Sequence, residues 1–124
     1  MRRMFTLVIL ALTAGLAGPT ATAPPQNTPH HHFDVTARRY EFLPSRLEVH
    51  AGDLVRIILR SEDIPHSFVL DAYRIAKKAA GGGSVTFEFI ADRPGEFPFY
   101  CNLHNEDGCR NMKGTLVVGG EGTR

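Results

Sequence analysis

The chain has 124 residues, 43% of them apolar, and a formal net charge of +1 from 14 basic and 13 acidic side chains. That length and apolar content suit one domain with a single modest core. The near-balanced charge leaves nucleic-acid binding, which needs a basic stripe, without support.

The N-terminus reads as an export signal over residues 1–23. Arg2 and Arg3 supply the positive start, and the apolar run from Phe5 to Leu16 is too short to span a bilayer comfortably. Ala21-Thr22-Ala23 resembles a cleavage site, with cleavage after Ala17 as the alternative. An uncleaved N-terminal anchor is the competing reading. A lipid anchor has no cysteine here to attach to. The expected location is periplasmic or secreted, with no stable membrane insertion after cleavage. Residues 24–32, rich in Pro, Thr and His, read as a flexible linker. Within it, His30, His31 and His32 read either as a copper-capturing tract or as a solvated run. The domain is expected over 33–119, followed by a tail at 120–124.

Period-two patterning then predicts an all-β domain. Strands are expected at Phe33–Tyr40, Leu47–His50 and Leu54–Leu59, the last with Val55, Ile57 and Leu59 on one face. Ala51-Gly52-Asp53 is a turn signal. His50, at a strand edge, reads as a surface residue. A short strand follows His66, from Ser67 to Leu70. Tyr73-Arg74-Ile75 fits a short strand or a loop, and residues 76–80 fit a helical turn. Gly81-Gly82-Gly83 marks a loop. It lacks the Lys-Ser/Thr context of a phosphate-binding loop. Ser84–Ala91 alternates with Val85, Phe87 and Phe89 inward, and strands at Glu96–Tyr100 and Gly114–Val118 close the domain. Seven to eight short strands broken by turns predict a β-sandwich.

The stretch from Cys101 to Met112 is the part richest in metal-binding side chains. It holds Cys101, His104, Cys109 and Met112, the soft and borderline donors that copper prefers. A blue-copper site takes two His and one Cys with a weak axial ligand. His66 precedes one strand, and the loop joins the last two, so the ligands can converge at one end of a sandwich. The competing reading of Cys101 and Cys109 is a disulfide, the ordinary fate of two cysteines in an exported domain. A disulfide and a thiolate copper site exclude one another in the active form.

Several phrases carry a family resemblance: Tyr40-Glu41-Phe42-Leu43-Pro44, Val49-His50-Ala51-Gly52-Asp53, His66-Ser67-Phe68, Pro94-Gly95-Glu96-Phe97, Phe99-Tyr100-Cys101 and Met112-Lys113-Gly114-Thr115-Leu116. With these, the chain resembles the cupredoxins over residues 33–118. The segment Ser61–Phe68 is also similar to the first histidine segment of cytochrome oxidase subunit II and nitrous oxide reductase copper domains. The resemblance implies a Greek-key sandwich and a copper ion held by His66 and Cys101. The loop departs from the family's patterns. In a plastocyanin-like register His104 is a ligand and Cys109 takes the axial Met position. In a register like that of binuclear oxidase centres, Met112 matches, Cys109 takes a His position, and Asn105 stands where a second bridging Cys is needed. A mononuclear, atypical site with one copper per chain, Cu(I)/Cu(II), is therefore expected. Its candidate ligands are His66, Cys101, Cys109, Met112 and His104.

The expected role is electron transfer with a redox partner protein, by a monomer that is not an enzyme. The alternatives are a Cu(I) carrier using Cys101, Cys109 and Met112, which exchanges copper with a donor or acceptor, and a metal-free sandwich stapled by a Cys101–Cys109 disulfide. Arg74, Lys77 and Lys78 form a small basic patch able to steer an acidic partner.

Overall fold

The computed structural model describes residues 11, 13–19, 30–104 and 107–120. The expected signal peptide and linker therefore lie outside the described residues, apart from 11, 13–19 and 30–32, as does the tail beyond Gly120. Among the described residues no helix is long and apolar enough to cross a membrane.

Among the described residues nine strands form two sheets, where seven to eight strands were expected: β1 His30–Arg38, β2 Glu41–Leu43, β3 Arg46–His50, β4 Asp53–Ser61, β5 His66–Leu70, β6 Ile75–Ala79, β7 Ser84–Ala91, β8 Gly95–Tyr100 and β9 Lys113–Gly119. One sheet has the order β2-β1-β4-β7 and the other β3-β9-β8-β5-β6. This is the two-layer sandwich that the resemblance implies.

The alternating apolar residues explain the layers. Val55, Ile57 and Leu59 of β4 are wholly buried, while Arg56 and Arg60 on the other face are exposed. In β7 Phe87 is buried, Val85 and Phe89 pack partly buried against the core, and Thr86 and Glu88 face solvent. Phe42 from the first sheet meets Phe68 and Phe99 from the second at ring-centroid distances of 5.9 and 5.3 Å. Phe68 stacks on Phe99 at 4.5 Å and touches Phe87 at 5.3 Å. This four-ring cluster joins the layers.

Three local expectations are corrected. The first strand begins at His30, because β1 runs parallel to β4 from the pair His30↔Leu54 onward, so the histidine tract is strand rather than linker. Residues 76–80 form no helical turn. Ile75–Ala79 pairs antiparallel with β5, after a turn in which Arg74 takes a left-handed backbone (φ 54°). Ile75 and Ala79 are buried, whereas Ala76, Lys77 and Lys78 are exposed, as suits an edge strand protected by lysines. The three residues Glu41–Leu43 form a further strand by pairing with the end of β1.

Candidate metal centre

At one pole of the sandwich β5 begins with His66, and β8 runs into Cys101. Residues alternate sides along a strand, so His66 shares the inward face with Phe68 and Leu70. His66 is 1% exposed. Ser67 is buried as well and ties β5 to the loop. Its backbone N–H donates to Cys101 Sγ at 3.5 Å. Its hydroxyl oxygen accepts from Asn102 N at 2.8 Å and lies 2.7 Å from Asn102 Oδ1 and 3.5 Å from Cys101 Sγ. A hydroxyl has one proton to donate. The shorter approach to Asn102 takes it, which leaves the Ser67 backbone N–H as the donor to the sulfur.

The turn before His66 orients its ring. Asp63 Oδ1 lies 2.7 Å from His66 Nε2. The same carboxylate accepts from Ile64 N at 2.7 Å and Arg39 N at 2.8 Å. Burial works to raise the Asp63 carboxyl, but these backbone donors and His66 outweigh it and hold the group down at about 2. An ionised carboxylate only accepts hydrogen bonds. The proton of a neutral His66 ring therefore sits on Nε2, and the lone pair on Nδ1. Nδ1 is buried and has no hydrogen-bond partner among the described residues. A carboxylate behind one ring nitrogen, with the other aimed inward and unpaired, is the arrangement of metal-ligating histidines.

Cys101 and Cys109 are joined as a disulfide, so in this form neither sulfur is a thiolate. Both are buried, at 3% and 1% exposure. The loop is held around them: Leu103 N donates to Cys109 Sγ at 3.0 Å, Cys101 N to Met112 O at 3.3 Å, and Met112 N to Cys109 O at 3.1 Å. A short 3-10 turn, Asp107–Asn111, carries Cys109 inward. Met112 is fully buried. His104 is exposed, on the rim of a pocket of about 430 Å³ that Cys101, Arg110 and Lys113 also line. The fold thus brings His66, Cys101, Cys109 and Met112 into the interior at one pole and leaves His104 at the surface. Asn105, which stands at the bridging-Cys position of the second register, lies outside the described residues.

The donors suit copper once the disulfide is reduced: an unpaired imidazole nitrogen, two sulfurs already within bonding reach of each other, and a buried thioether. Of the four donors in the interior at this pole, the disulfide form leaves His66 and Met112.

Two residues of the site are not evident from the sequence. Asp63 enters there only as part of the His66 segment, although an acid three residues before a histidine in a turn is a usable signal. Tyr40 enters only as the end of the first expected strand and within the resemblance. A Cβ on Gly108 would overlap the Tyr40 ring carbons, so this ring covers the Cys109 turn. Nothing in the sequence ties these two positions together.

A model of the cupredoxin-like domain matches residues 5–118. Cytochrome c oxidase subunit 2 of Thermus thermophilus is 31% identical over 84 residues, which cover 68% of this chain and 62% of that protein. A second subunit 2 from the same species matches at the same identity over 50% of its length, so the chain spans only part of either relative. The periplasmic domain of cytochrome oxidase subunit II from Bradyrhizobium japonicum superposes with a TM-score of 0.61 at 17% identity, covering 71% of this chain and 83% of that one. Auracyanin A, a blue copper protein from Chloroflexus aurantiacus, superposes with a TM-score of 0.60 at 18% identity, covering 73% and 99%. At these identities the two superpositions show a shared fold.

Proposed function

This chain belongs to the cupredoxin-like domain family, and from that membership we propose that it is an exported copper-binding protein serving electron transfer. One copper ion is held in the reduced protein by His66, Cys101, Cys109 and Met112. The observation that carries this reading is the buried, unpartnered Nδ1 of His66, oriented by Asp63 and one residue from the Ser67 N–H that donates to Cys101 Sγ. Bound copper supplies a one-electron Cu(I)/Cu(II) couple.

The chain's own residues set the conditions. A dithiol reductant delivers two electrons and two protons to the disulfide, which gives two thiols. Both thiols lose their protons when they take up a metal. The N–H groups of Ser67 and Leu103 then stabilise the two sulfurs, since hydrogen bonds favour the anionic form. The aromatic cluster beneath, with Phe68 and Phe99 each two residues from a ligand, keeps water out. Exposed Lys77, Lys78, Arg110 and Lys113 surround the loop and suit an acidic redox partner. Export rests on Arg2, Arg3 and the apolar run after them. The role is one of binding and transfer rather than catalysis.

A second reading, Cu(I) carriage, is favoured by the meeting of Cys101 with Cys109 and by the exposure of His104. Two thiolates and a thioether select Cu(I). Optical and EPR spectra of reduced protein given copper decide between the readings. An intense visible thiolate-to-copper band with reversible cycling indicates electron transfer, and colourless tight Cu(I) binding indicates carriage. His66→Ala, Cys109→Ala and Met112→Ala are each expected to alter the spectrum or the affinity, and His104→Ala to leave both unchanged. Full copper binding by His66→Ala contradicts the ligand set.

A further inference from the structure

At the opposite pole three other donors meet. β9 runs from Lys113, beside the loop, to Gly119, roughly 20 Å away at the usual strand rise. Gly119 pairs with His50 at the end of β3. There His31 Nε2, from β1, lies 2.8 Å from Asp53 Oδ2, and His50 Nδ1 lies 4.0 Å from the same oxygen. Ligand atoms of His31, His50 and Asp53 all fall within 4.8 Å of one another. Zinc–ligand bonds of about 2.0–2.1 Å put tetrahedral donors about 3.3 Å apart, so the observed separations bracket what a bound ion needs.

The cluster is built rather than incidental. Asp53 is 1% exposed, and its Oδ2 also accepts from His50 N at 2.8 Å. The backbone around it is pinned by Ala51 N to Gly119 O at 2.9 Å and Gly52 N to Ala91 O at 2.7 Å. The His31 ring stacks on Phe33. Its side chain is 33% exposed and that of His50 51%, so an ion has a path in and water can take a fourth position.

We propose that His31, His50 and Asp53 form a second metal site, for a divalent ion of the zinc class, bound by two imidazoles and one carboxylate with one position open to water. On binding, the neutral His31 ring changes tautomer: the Nε2 proton passes through solvent to Nδ1, which frees the Nε2 lone pair for the ion. The ion ties the two layers together, since His31 and Asp53 belong to one sheet and His50 to the other. The site uses no residue of the copper pole and does not depend on the copper reading.

Calorimetric titration of the untagged, disulfide-bonded chain with Zn(II) tests the proposal, with thermal unfolding as a second readout. One Zn(II) per chain is expected, with an unfolding midpoint that rises with zinc concentration. His31→Ala, His50→Ala and the milder His50→Gln should each weaken binding by at least the roughly 10–100-fold that even outer-sphere losses cost. His32→Ala and His104→Ala should leave it unchanged. Absence of zinc binding by the parent chain overturns the proposal. So does a titration in which His32→Ala costs as much as His31→Ala while His50→Ala costs nothing, since that is binding by the histidine tract.

Discussion

Asp63 shows what a single side chain does for this molecule. It closes the turn before β5 by accepting from Arg39 N and Ile64 N, and it sets the tautomer of His66. Its folded carboxyl titrates at about 2, below the ordinary 3.8. The stability it contributes is therefore present above about pH 3.8 and is lost as pH falls through about 2. In the metal-free protein Asp63→Asn is expected to lower the urea midpoint at neutral pH, and the gap from the parent should shrink as the pH is brought down toward 2. A gap that stays constant across that window contradicts this role. In the reduced, copper-loaded protein the same substitution is expected to weaken copper binding about 10–100-fold. The histidine was legible as a candidate ligand from its segment and the family resemblance. The carboxylate's contribution was not, because it depends on a turn whose shape is fixed by Arg39, 24 residues earlier.

Among the elements, legibility followed burial pattern. β4 and β7 alternate cleanly because one face of each covers the core, and their inward residues were readable one by one. β6 was not readable. Only Ile75 and Ala79 are buried, and pairing with β5 decides its conformation over the local helical preference of Ala and Lys. β2 is too short to show a period. The junction of β8 and β9 yields a prediction at this scale. Phe99 pairs with Gly114, and a Cβ on Gly114 would overlap the Phe99 ring and fall 2.7 Å from the Ser45 carbonyl oxygen. Phe99 is wedged into the four-ring cluster and Ser45 O is backbone, so neither gives way freely. Gly114→Ala is expected to destabilise the chain by about 1–3 kcal/mol, as overpacking does. An unchanged urea midpoint contradicts the packing described here.

On the scale of the whole molecule the sandwich has two chemically distinct ends. One gathers sulfur donors and a histidine from β5 and the β8–β9 loop. The other gathers imidazoles and a carboxylate from β1, β3 and β4. The first was largely legible because Cys101, Cys109 and Met112 lie within one loop. The second was not, because parallel pairing of β1 with β4 and of β3 with β9 brings together residues from separate segments. The sequence alone also left open whether the two cysteines are ligands or a disulfide. The structure shows the disulfide, and His66 Nδ1, buried and without a hydrogen-bond partner among the described residues, is the donor that the reduced sulfurs are expected to join. Copper binding is therefore expected to depend on the thiol state. The most direct measurement is the Cu(I) stoichiometry of the chain against a competing chelator, before and after reduction of Cys101–Cys109, with thiols counted in parallel. One tightly held Cu(I) is expected per reduced chain, and none that survives the chelator in the disulfide form. Equal retention by both forms, or none by the reduced form, contradicts this expectation.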